Sequence, residues 1–163
     1  MGIPAQAFVE INPNELASGQ LYLFRGFWSL RVSIEADIEG FLILDGDRAG
    51  SVYQMAPGMA KVVAIVSPFI WYPMLSEGAK PEVADDPILT LALTAKGPQI
   101  VGLDTRDKWD RGYLAVAPSG HGVEMQEVRR APHFTQWSVE ISHPDRPYMS
   151  LGTLVKIDRC QKA

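Results

Sequence analysis

Two of the chain's three histidines bracket one short stretch, "HFTQWSVEISH", from His133 to His143. Histidine ligates divalent metals and moves protons near neutral pH, so a histidine pair is the first place to look for chemistry. As one strand, the stretch would hold the two rings about 33 Å apart at ~3.3 Å per residue, too far to share an ion.

A different pairing brings histidines together. The segments "GVEMQEV" and "FTQWSVEIS", joined by "RRAP", are expected to form a hairpin in which Val123 faces Val139 and Met125 faces Trp137. Four apolar side chains would then share one face, the arrangement burial selects. That register sets His143 diagonally across from His121 at roughly 7–8 Å, with Asp145 close by. Two histidines and a carboxylate are the minimum set for a catalytic divalent metal, which makes His121, His143 and Asp145 the candidate ligands. Their spacing matches no ligand motif, and the plainer alternative is two turns meeting at one end of the molecule. Ser119, beside His121, lacks the G-x-S-x-G elbow of a hydrolase nucleophile.

Other chemistries fall away in turn. "DGDRAG" puts Asp45, Asp47 and Gly50 at calcium-loop positions, but Ala49 and Ala56 stand where two oxygen ligands belong. Asp104, Asp107 and Asp110 recur every third residue without a ligand pattern and read as a solvated connection. No phosphate-binding glycine loop and no dinucleotide fingerprint occurs. The chain is expected to be non-catalytic and to need no cofactor.

Aromatic residues carry the remaining signal. Four tryptophans are many for 163 residues, and Phe27, Trp71, Tyr72 and Trp109 fall at outward or loop positions. Tryptophan and tyrosine dominate protein interfaces and also stack on sugars. The leading expectation is a structural or assembly domain that acts through protein–protein contacts, as a homo-oligomer or in a larger assembly. The alternatives are a small metal-dependent enzyme or ligand-binding barrel using the His121, His143 and Asp145 end, and a carbohydrate-binding sandwich.

The elements that must position these residues are strands. "LYLFRGFWSLRVSIEADIEG" alternates apolar Phe24, Trp28, Leu30, Val32 and Ile34 with mostly polar residues, with Gly26 a bend or bulge, so one face is expected in the core and one in water. "FLILD" and "SVYQM" read as a hairpin, as do the two halves of "ILTLALTAKGPQIVGLD". "WYPMLSEGAKPEVADDP" collects Pro73, Pro81 and Pro87 and reads as a long surface loop. About nine or ten short strands with regular turn signals give an antiparallel β-sandwich or β-barrel. The expected core includes Trp28, Leu30, Val32, Leu89, Leu91, Val123, Trp137 and Val139.

Totals set the outer bounds. The composition, 47% hydrophobic and 21% charged, is that of one globular domain over residues 1–163. A net charge of −4, with Arg129-Arg130 as the one adjacent basic pair, argues against nucleic-acid binding. The single cysteine, Cys160, excludes an internal disulfide and points to the cytoplasm. "CQKA" fits a prenylation signal in form alone, since Gln161 and Lys162 replace its aliphatic pair. The N-terminus has no apolar signal region, and the longest apolar run, Val62 to Leu75, is broken by Pro68 and Pro73, so no membrane span is expected.

Overall fold

Period-two alternation asks for strands, and strands form: the computed structural model, which describes residues 2–35, 38–56, 58–82, 86–106, 112–123 and 125–159, is all-β. The chain runs through β1 (Phe8–Ile11), β2 (Leu21–Phe24), β3 (Phe27–Glu35), β4 (Ile38–Ile43) and β5 (Ser51–Gln54). Next come β6 (Val62–Ile65), β7 (Ile70–Leu75), β8 (Leu91–Thr94), β9 (Gly97–Asp104) and β10 (Tyr113–Val116). The last third holds β11 (Gly122–Val123), a short helix α1 (Met125–Arg129), β12 (His133–Phe134), β13 (Gln136–Ser142) and β14 (Gly152–Asp158). The count among the described residues is fourteen rather than nine or ten, because two-residue pieces such as β11 and β12 carry no alternation to read.

Eleven strands form one sheet: nine follow the order β1-β6-β2-β3-β4-β5-β9-β10-β11, and β8 on β9 and β12 on β8 lie off that path. Strand β9 is where this sheet branches: β10 lies along one side, and β8 and β5 share the other, β8 beside its first half and β5 beside its end. The β5–β9 ladder is parallel, Ser51 to Leu103 and Val52 to Asp104. A second sheet, β14-β13-β7, packs across the first.

The core lies between the two sheets. Leu21, Leu30, Leu42 and Val52 are direct cross-strand partners in a row across β2 to β5, and all four are fully buried. Facing them from the small sheet are Trp137, Val139 and Ile141 of β13 with Val155 and Ile157 of β14. Each such side chain contributes about 1.5–3 kcal/mol on burial. Of the expected core, Leu30, Val32, Leu89, Leu91, Trp137 and Val139 are buried, Trp28 is partly buried at its margin, and Val123 packs instead on a separate cluster with Val128 of the segment Met125–Arg129.

Three expectations are corrected. "GVEMQEV" is not one arm of a hairpin: after β11 it coils into α1, because Met125 and Val128 also match a helical spacing, and Val128 is completely buried. Trp137 therefore pairs with Leu75 and Ile157 instead of Met125, and Val139 pairs with Pro73 and Val155. Strand β3 is covered on both faces, since Ser29 and Arg31 are as buried as the leucines beside them. Arg31 is tolerated there because Nη1 donates to the Val32 and Gly40 carbonyls at 3.1 and 3.3 Å while Nη2 pairs with Glu39. Finally, "WYPML" is strand β7 and not loop, despite Pro73.

Two turns cross where only glycine fits. A Cβ on Gly19, at φ 85°, would stand 2.7 Å from the Ser119 carbonyl, and Gly120 is packed against it in turn. This crossing fastens the segment before β2 to the turn before β11.

Candidate functional site: the outer face of the small sheet

Strand β13 hangs its even-numbered side chains away from the core, and three of them, Ser138, Glu140 and Ser142, are nonetheless buried. Glu140 is 3% exposed. One carboxylate oxygen accepts from the Ser150 and Thr153 hydroxyls at 2.9 and 3.0 Å. The other, Oε2, has no hydrogen-bond partner, and neither has the Ser142 hydroxyl. A buried carboxylate with an unmet oxygen is costly by itself, and a donor brought to it offsets that cost.

What covers Glu140 is aromatic. Its cross-strand partner is Tyr72, whose ring meets that of Tyr148 edge to face at 5.4 Å. Burial first, and then the charge of Glu140, raises the Tyr72 phenol above its ordinary range. Ile70 and Met74 flank Tyr72 on the same strand face, 42% and 43% exposed, and Tyr148 and Met149 stand 80% and 50% exposed. Four of the seven exposed large apolar side chains among the described residues thus gather around one tyrosine.

The same strand guards its own edge. The Ser76 N–H donates to Gln136 at 3.1 Å, and hydrogen-bonded pairs alternate in an antiparallel ladder. Tyr72 and Met74 therefore bond to β13, and the backbones of Trp71, Pro73 and Leu75 face the free side. Pro73 has no N–H to offer there, which blunts the edge against strand addition. Loop-like proline content hid this strand in the sequence.

No family model matches the chain, and no curated protein or solved structure shows significant similarity to it.

The residues singled out from the sequence lie on several elements. His143 follows β13 directly, and there its Nδ1 accepts the Asp145 N–H at 3.2 Å and its ring meets Phe69 edge-on at 5.8 Å. Asp145 Oδ2 lies 3.3 Å from the same nitrogen, on a side chain 86% exposed. His121 is exposed and bridged to Ser33 of β3. Among the described residues no three His, Cys, Asp or Glu side chains converge as a metal would need. His133 is buried and structural: Nε2 donates to the Val128 carbonyl at 2.9 Å and Nδ1 meets the Thr90 hydroxyl at 2.9 Å, tying α1 to the segment before β8.

Of the aromatic candidates, Tyr72 lies at the center of the patch. Trp71 points inward against the core, with its indole N–H on the Gly19 carbonyl at 2.8 Å. Phe27 is 41% exposed on the other sheet. Trp109 lies outside the described residues, as do Asp107, Asp110 and Cys160. Ile70, Met74, Tyr148, Met149 and Glu140 were missed, and the alternation of Ile70 and Met74 about Tyr72 was the signal that could have found two of them. Among the described residues no helix is long and apolar enough to cross a membrane.

Proposed function

We propose that this chain is a non-catalytic structural domain that works by protein–protein contact, docking a second copy of itself through the outer face of β7 and the Tyr148–Met149 loop. The observation that carries this reading is the gathering of Ile70, Met74, Tyr148 and Met149 around Tyr72, while the other exposed large apolar side chains among the described residues, Val9, Phe27 and Leu93, lie on three separate strands. Contiguous apolar surface of this kind marks interaction sites. None of the five side chains Ile70, Tyr72, Met74, Tyr148 and Met149 is charged, so two copies can oppose them without repulsion, as a two-fold interface requires. Pro73 favors contact by faces over contact by edges, and so a closed dimer over an open array. A cytoplasmic setting suits a chain with one cysteine.

The experiment is light scattering across a concentration series. The parent protein is expected to pass from monomer to dimer mass, and Tyr148→Ser to weaken association by roughly 30-fold, about 2 kcal/mol, as central aromatic anchors do. A parent protein that remains monomeric at high concentration overturns this reading.

A further inference from the structure

The large sheet carries a second feature, far in kind from the apolar patch: a groove of about 550 Å³ on its outer face, over β2 to β5. Its walls are the rings of Phe24, Phe27, Phe41 and Tyr53, and its rim carries Arg25 and Arg48. We propose that this groove binds a small planar aromatic anion, a ring system of one to three rings bearing a carboxylate or phosphate.

The walls argue for a flat ring. Phe41 stacks on Tyr53 with centroids 5.6 Å apart and meets Phe24 edge-on at 5.6 Å, so the groove offers both faces and edges for offset stacking. Volumes between roughly 300 and 1,000 Å³, mostly apolar with a few polar groups, are typical of small-molecule sites.

The rim argues for a negative charge. In a chain of net charge −4, none of the described residues lining this groove is acidic. Neither Arg25 nor Arg48 has a carboxylate partner among the described residues, and the Arg25 guanidinium lies 5.1 Å over the Phe24 ring. Arg25 also occupies a position that a different residue would fill more easily. With Gly26 it makes the two-residue turn between β2 and β3, both at positive φ, 49° and 84°. Asparagine or glycine is preferred there, so an arginine held against that preference is kept for its side chain.

The floor supplies a third contact. Ser29 lines the groove, is 1% exposed, and its hydroxyl has no hydrogen-bond partner. A polar edge of the bound ring would give it one.

The test uses two fluorescent probes of similar shape, anilinonaphthalene sulfonate and the neutral phenylnaphthylamine. The sulfonate is expected to bind saturably at one site. Arg25→Gln with Arg48→Gln should weaken it at least tenfold and leave the neutral probe unchanged, while Phe27→Ala should weaken both. Arg48→Gln alone, on an exposed turn, guards against misfolding of the double variant. Tyr148→Ser should leave binding intact, since it lies in the loop before β14, beside the other sheet. Naphthoate and naphthyl phosphate are then run as competitors, and displacement by either supports the site and identifies the head group. Absence of one-site binding, equal binding by the double arginine variant, loss of binding in Tyr148→Ser, or failure of both competitors would overturn it.

Discussion

Trp137 shows how much one residue can hold. It is fully buried between the sheets, and its indole N–H donates to the Leu89 carbonyl at 3.0 Å. Leu89 itself sits at φ 61°, a conformation that leucine adopts only when its surroundings impose it. Trp137→Ala is expected to cost about 3–5 kcal/mol, read from the midpoint of a urea unfolding curve. A second prediction concerns pH. The Arg106 guanidinium holds the Asp104 carboxylate through Nε and Nη2, at 3.0 and 2.8 Å, and keeps it below the usual carboxylate range. A depressed carboxylate adds stability above its unfolded value, about pH 4, and loses it as pH falls through the folded value. Asp104→Asn should therefore lower stability by about 0.5–1 kcal/mol near neutrality, and the gap between variant and parent should narrow as pH falls below the ordinary carboxylate range. Residues of this kind are hard to read from sequence when their partners are remote. His133 was legible as a strand end, but its role depends on Thr90, 43 positions away, and no local pattern announces that pairing.

At the scale of elements, alternation was a sound guide wherever a strand has its own hairpin partner. The β4–β5 and β8–β9 pairs form where "FLILD", "SVYQM" and "ILTLALTAKGPQIVGLD" place them. It failed where two periods coincide, as in "GVEMQEV", whose apolar residues satisfy strand and helix alike until Val128 is buried by its neighbours. It failed also at β7, because proline marks loops and edge strands equally. The candidate site inherits that blind spot, since β7 supplies its center and the loop before β14 supplies its most exposed ring. Pro73 yields a prediction at this scale. Pro73→Val restores an edge N–H on a strand of high β-propensity, and thioflavin fluorescence after mild heating should rise well above that of the parent. An unchanged signal would mean that the edge is already shielded by other means.

For the molecule as a whole, the branch at β9 has a consequence in time. Antiparallel neighbours such as β2 and β3 can zip from their turn, but the parallel β5–β9 ladder joins residues roughly fifty positions apart and has no turn to start from. Both halves of the large sheet must take shape before Ser51 finds Leu103, which places this closure late on the folding route. Chains dominated by such distant pairings refold in about milliseconds to seconds. Val52, fully buried on that ladder, should report the order of events in stopped-flow experiments. Val52→Ala is expected to accelerate unfolding while leaving the refolding rate nearly unchanged, the signature of a contact made after the barrier is crossed.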